Sequence, residues 1–222
     1  APRAARRAAA RCMAARRGKR SSFLDDMASI KSEGKGADSV QFELPLSILK
    51  YPHEKLRAPN AEVTAFDARL HKLSRAMFDI MYKTDGVGLA APQVGVNVRL
   101  MVYNPEGEPG RGKEYTLVNP TITETSDEFE PFEEGCLSFP KMFGDVERPV
   151  ACVVKARDTR GKKVTLKLDG FQARVFQHEY DHLDQKLFID RMDPEVLASV
   201  QPDLDRFIAE FSSEYEGVGT AL

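Results

Sequence analysis

Apolar side chains fall at Leu70, Leu73, Met77, Ile80 and Met81, three and four residues apart, behind Asp67. That spacing lines one stripe of a 3.6-residue helix, and Asp67 is a residue type that caps a helix start. Asp85 and Gly86 are expected to end it. His71 lies on this helix and is expected at its surface. Beyond it the pattern changes. VRLMVY (98–103), YTLVNPTI (115–122), VACVVKA (150–156) and KVTLKL (163–168) are short and bounded by Gly, Pro, Asn and Asp, which predicts strands. The last two flank DTRGK and predict a hairpin. Helical character returns over 173–183. Asp193 and Pro194 then form an N-cap and first-turn pair for a helix carrying Val196, Leu197 and Val200. Pro202 is expected to break that helix, with Leu204, Phe207, Ile208 and Phe211 continuing beyond. A helix, several antiparallel strands and then more helices make an α+β fold. No internal repeat is visible.

The chain has 222 residues, 42% of them hydrophobic, enough for one well-buried core. No run of eighteen or more apolar residues occurs, so a membrane-spanning helix is excluded and a soluble protein with no membrane partner is expected. The net charge of −2 hides an asymmetry: the first twenty residues hold seven Arg, one Lys and no acid, which leaves −10 on the rest. A basic tail on an acidic body is either an organelle-targeting segment or a solvated or nucleic-acid-binding arm. Arg spread among Ala, then Ser21 and Ser22, with no acid before Asp25 and no long apolar stretch, fits a transit peptide better than a secretory signal. No nucleic acid is specifically implied. Residues 21–40 are rich in Ser, Gly, Lys and Asp around a short apolar patch at Phe23, Leu24, Met27 and Ile30, and read as linker with at most one helical turn. The expected organisation is an extension and linker at 1–40, a folded body at 41–192 and a helical extension at 193–222. Cys12, Cys136 and Cys152 cannot build a disulfide framework, which implies a reducing compartment. Cys152, inside ACVVKA, reads as a small buried hydrophobe.

HEYDH at 178–182 fits the H-E-x-x-H pattern. On a helix, His178 and His182 project from one face a turn apart, so two imidazoles can grip one divalent ion, while Glu179 points aside toward a coordinated water. The bland alternative is a helix with two exposed histidines, but the chain holds only four His, which makes the match specific. A catalytic ion of this kind needs a third protein ligand. No His follows 182, and acids such as Glu195 sit in an ordinary helix. Upstream, EEGCLSFP presents Cys136 between Gly135 and Leu137, where a thiolate can be held toward a helix; a buried Cys near a strand end is the alternative. GVGLAAPQVG at 86–95 has G-x-G spacing but follows a helix instead of a strand, so a dinucleotide reading fails. Gly86 and Gly88 point instead to backbone lying close to a ligand, with Gln93 offering an amide donor.

Together, GVGLAAPQ, EGCLS and QHEYDHL resemble, in that order, the three signature motifs of the peptide deformylases, over a body from about residue 44 to 192. The resemblance is to bacterial-type members and their plant or algal organellar relatives. It implies a single α+β domain with antiparallel sheets around a central metal-bearing helix, which makes 41–192 the catalytic domain. By the same resemblance Cys136, His178 and His182 are metal ligands, Glu179 is the general acid/base, and Gln93 with the Leu137 backbone N–H donates to the reacting oxygen. Gly86, Val87, Gly88, Phe132, Glu134, Gly135, Arg174 and Val175 match the substrate-binding region, with Phe132, Arg174 and Val175 at the methionine pocket. The implied reaction removes the formyl group from N-formyl-methionyl nascent polypeptides and releases formate. One divalent ion per chain is implied, Fe2+ by the family's habit, with Zn2+ or Ni2+ accepted by the same ligands. The implied location is the chloroplast stroma, with the mitochondrion second, in the vicinity of the organellar ribosome. Asp181, three residues after His178, is a candidate partner for Arg148, holding the metal helix against the Cys136 segment; a solvated surface acid is the alternative. Two rival readings remain. A zinc protease cutting internal peptide bonds leaves GVGLAAPQ without a role, and a non-enzymatic organellar protein binding ribosomes or RNA through the basic tail leaves HEYDH structural.

Overall fold

The computed structural model describes residues 39–214 and 219–220. The basic tail with Cys12, and the apolar patch of the linker, lie outside the described residues. The first predicted helix is α1 (Ala68–Lys83). The Asp67 carboxylate caps it by accepting from the Leu70 N–H at 3.0 Å, and Asp85, just past its end, takes a left-handed φ of 55°. His71 is partly exposed on it.

Among the described residues seven strands follow: β1 (Gly88–Ala90), β2 (Leu100–Tyr103), β3 (Tyr115–Thr125), β4 (Phe129–Cys136), β5 (Phe139–Pro149), β6 (Ala151–Arg157) and β7 (Lys163–Asp169). Five form one antiparallel sheet in the order β1-β2-β3-β6-β7, and β4 and β5 pair with each other as a separate two-stranded sheet. The predicted hairpin over DTRGK is present as β6 and β7. Every residue of β2 is buried. Leu100 and Val102 face α1, packing with Leu73, Met77 and Met81, whereas Met101 and Tyr103 face the opposite way, toward Ala173 and Phe176. Burial on both faces is why this strand reads as a continuous apolar run with no alternation.

The second helix, α2 (Gly170–Leu183), covers that opposite face of the sheet. The third, α3 (Pro194–Glu214), runs unbroken through Pro202, so the expected break does not occur. A proline inside a helix costs about 3 kcal/mol. Val200, Leu204 and Phe207 on either side of it are all buried in one cluster with Phe139, Met142 and Phe188. Their burial, about 1.5–3 kcal/mol each, outweighs the lost hydrogen bond only while the helix stays continuous and keeps them on one stripe. The same cluster joins Leu187 and Met192 to α3, across the expected boundary at residue 193.

Strands β4 and β5 escaped the sequence reading. From Phe129 to Glu133 every residue of β4 is exposed, so the segment carries no inward apolar pattern to detect. Among the described residues no helix is long and apolar enough to cross a membrane.

Candidate active site

Cys136 ends β4 and pairs with Phe139 across the two-residue turn Leu137–Ser138. His178 and His182 lie one turn apart on α2, with ring centroids 5.3 Å apart. One ligand atom from each of Cys136, His178 and His182 lies within 4.8 Å of the others, and all three residues are buried. The Cys136 Sγ is 3.4 Å from His182 Nε2.

A buried ionic network fixes this arrangement. Side chains alternate along a strand, so Glu134 shares the inner face of β4 with Cys136. Its carboxylate accepts from His178 Nδ1 at 2.9 Å, from Arg148 Nε at 2.7 Å and Nη2 at 3.0 Å, and from Arg174 Nη1 at 3.1 Å. Binding at Nδ1 leaves Nε2 of His178 for the cluster, the usual arrangement for an imidazole ligand. Arg148 continues to Asp181, with Nη1 2.6 Å from Oδ2, and Arg191 reaches the same carboxylate at 2.7 Å from the solvent side. Burial pushes the Glu134 carboxyl up, but the bonds from His178 and Arg148 outweigh it and bring it down to about 2. Burial likewise opposes the charge on Asp181, and Arg191 and Arg148 hold its carboxyl below the usual range.

The two imidazoles diverge. Burial disfavours the His178 cation, yet Cys136 and Glu134 together raise its pKa well above the ordinary value. Burial and then the charge on His178 push His182 down to about 3. The centre therefore favours positive charge between a sulfur and a ring already oriented by a carboxylate. A divalent ion meets that demand with both rings neutral, and one sulfur with two nitrogens suits such an ion.

GVGLAAPQ closes the other side. The Gln93 amide is oriented by the Ala90 N–H, which donates to its Oε1 at 2.8 Å. Its Nε2 is thereby aimed at Cys136 Sγ, 3.4 Å away, and Ser138 Oγ, 3.3 Å away. A Cβ at Gly88 would lie 2.5 Å from Glu179 Oε1, and one at Gly86 2.8 Å from Leu137 Cδ1, so both glycines permit close packing against the other two motifs. Glu179 is buried and its Oε2 has no hydrogen-bond partner among the described residues. Burial is the main reason its carboxyl is pushed up to about 7.

The residues expected along the substrate divide between buried and accessible positions. The Glu134 side chain is turned inward to His178 and the arginines, because a carboxylate on that face needs the guanidiniums. Val175 is buried in the sheet core beside Ala90 and Met101. Arg174 donates to the Val146 carbonyl at 2.7 Å as well as to Glu134, and its guanidinium lies 5.6 Å from the centre of the Phe132 ring. Phe132, two residues before Glu134 on the same side of β4, is exposed and neighbours Phe171, also exposed, at 6.1 Å. Gly135 lies under the Phe143 ring, and the Val87 carbonyl accepts from the Asn104 N–H at 2.8 Å. Sequence reasoning missed Phe171 and Ser138. Ser138 lies only two residues past Cys136, the one local signal that pointed to it.

A family model described as polypeptide deformylase matches residues 45–197, a span that contains the whole cluster. The chain belongs to the polypeptide deformylase family. It is 54% identical over 169 residues to an Arabidopsis thaliana protein named peptide deformylase 1B, chloroplastic/mitochondrial, covering 76% of this chain and 62% of that relative. The chain thus spans about three fifths of the length of the plant deformylases it matches. A plant peptide deformylase crystal structure superposes with a TM-score of 0.80 at 50% identity, covering 82% of this chain and 98% of the other. The Plasmodium falciparum peptide deformylase superposes with a TM-score of 0.74 at 41% identity, covering 77% and 99%. The deformylase fold is α+β with antiparallel sheets, as found here. Deformylases are metal-dependent, and the Cys136, His178 and His182 group is able to hold the ion.

Proposed function

We propose that the protein is a peptide deformylase in action as well as in family: a metal-dependent hydrolase that removes the formyl group from the N-terminal formyl-methionine of newly made polypeptides and releases formate. The observation that carries this reading is the convergence of one thiol and two imidazoles beside a buried carboxyl and an oriented amide. Cys136, His178 and His182 would hold one divalent ion, Fe2+ as the native one and Zn2+ or Ni2+ as substitutes. Such an ion, when bound, supplies Lewis acidity and a water acidic enough to be a nucleophile near neutral pH.

The protein's own groups do the rest. Glu179, with its carboxyl pushed up to about 7, is suited to take a proton from the attacking water and hand it to the departing amine nitrogen. The Gln93 Nε2 and the Leu137 N–H donate to the oxygen on which charge develops; losing one such donor costs about 3 kcal/mol in the transition state. Gly86, Val87, Gly88 and Gly135 bring backbone close to the substrate. Phe132, with Phe171 beside it and Arg174 beneath, flanks the methionine side chain, and Val175 supports that wall from the core. Glu134, Arg148 and Asp181 hold His178 and α2 in place.

Plant relatives are named chloroplastic, or chloroplastic/mitochondrial. We assign this protein to an organelle, the plastid first and the mitochondrion second, near the organellar ribosome, with 1–40 as import extension and linker, 41–192 as catalytic domain and 193–222 as helical extension. The test is anaerobic purification with metal analysis, followed by formate release from formyl-Met-Ala. Metal-loaded protein is expected to release formate and to leave a casein-like substrate intact; absence of formate release would end this reading.

A further inference from the structure

The two imidazoles are held in place by different means. His178 Nδ1 is fixed by Glu134, whereas the buried Nδ1 of His182 has no hydrogen-bond partner among the described residues. Apart from the contact of its Nε2 with Cys136, His182 is therefore held through its backbone, at the end of α2, where the last carbonyls have no partner within the helix. Asn60 supplies one. Its Nδ2 lies 3.1 Å from the His182 carbonyl oxygen and 3.1 Å from that of Leu183. The Gln185 N–H reaches the His182 carbonyl only at 3.3 Å, and Arg99 Nη1 shares the Leu183 carbonyl at 3.1 Å. A carbonyl oxygen only accepts, and of the two ends of the Asn60 amide only Nδ2 donates, so the orientation of the amide is determined. Its Oδ1 then accepts from Asn97 Nδ2 at 3.1 Å, and Asn97 also donates to the Lys55 carbonyl at 2.9 Å. Asn97 stands two residues past Gly95, the cap of the turn that carries Gln93. The backbones are joined there as well, Ala61 N–H to Asn97 carbonyl at 3.0 Å and Arg99 N–H to Ala61 carbonyl at 2.8 Å.

We propose that Asn60 is a positioning residue of the metal centre: through Asn97 it ties the turn bearing Gln93 to the helix end bearing His182, and so sets where the second imidazole stands relative to the amide donor. The inference rests on reading Cys136, His178 and His182 as metal ligands. Its test is Co2+ titration of the metal-stripped full chain against a chromophoric chelator, with the sulfur-to-cobalt charge-transfer and d–d bands recorded. Loss of a group that orients a ligand weakens metal binding by about 10–100-fold. Asn60→Ala is expected to weaken Co2+ binding within that range and to shift the d–d bands. Asn60→Asp, which sets an acceptor against two carbonyls, should do more, and Asn97→Ala, which leaves Asn60 present but unoriented, less. Should Asn60→Ala not fold, Asn60→Ser keeps one donor and reads the same quantity with a smaller change. Val102→Ala, in the core between β2 and α1, lowers the thermal midpoint and leaves Co2+ affinity and bands unchanged. Wild-type affinity and bands in the Asn60 variants, or an equal loss of affinity in Val102→Ala, overturn the proposal. A wild-type chain without the sulfur-to-cobalt band sinks the metal reading itself, and this inference with it.

Discussion

Both faces of α2 are buried, yet they are built from opposite chemistries. Ala173, Phe176 and Leu183 pack into the five-stranded sheet beside Met101, Tyr103 and Leu168. Arg174, His178 and Asp181 turn toward β4 and β5, where they meet Glu134, Arg148 and Val146. The apolar face stabilises in proportion to the area it removes from water. On the ionic face, desolvation offsets most of the attraction between charges, so its net contribution to folding is small. Its effect is geometric: each of its bonds has a direction, and together they determine where His178 and the helix stand relative to Cys136. Stability and chemistry are thus separated by half a turn of one helix.

That separation can be broken from either side. The largest change is expected from Glu179→Gln, which under the proposed role lowers the rate of formate release by about 10²–10⁴-fold. Its thermal midpoint should stay level or rise, because burial disfavours the charge that Gln does not carry. A midpoint that falls with the rate would mean that Glu179 belongs to the structural side. Phe176→Ala attacks the apolar face and should cost about 4 kcal/mol in chemical denaturation, while the folded fraction keeps its full metal content.

Arg148→Met attacks the ionic face. It leaves Glu134 and Asp181 short of a buried partner, at about 3 kcal/mol in the same denaturation experiment. Unlike Phe176→Ala it should also release metal, and metal retention equal to wild type would show that the network does not orient the site. The smallest effect is expected from Gly88→Ala. Its new Cβ would lie 2.5 Å from Glu179 Oε1, displacing the carboxylate and slowing formate release by up to about 10²-fold. Metal content and thermal midpoint should change little in this variant.

The sequence was most informative where one local pattern answered to one neighbour. The stripe on α1 and the β6–β7 hairpin were legible for that reason, and the apolar run of β2 because burial on both faces makes every position apolar. β4 was not: FEPFEEGC is exposed on most positions and is a strand because β5 and the ionic network hold it. Pro202 misled for the opposite reason, since a strong local breaker yields when the residues on both sides of it share one core. In the site, His178, Glu179 and His182 could be read from helical spacing. The roles of Glu134 and Ser138 could not, because two-residue spacing from Cys136 gains meaning only once β4 faces α2.

By itself the sequence determined that two imidazoles share a helix face, because a four-residue spacing on a helix has the same geometry wherever the helix lies. Only the tertiary structure decided that a sulfur 46 residues from His182 meets it at 3.4 Å, that Glu134 orients one ring, and that Asn60 caps the end of the same helix, where the other ring stands. Such distances are set by how two sheets and a helix pack, and packing is a property of surfaces that no local stretch of chain contains.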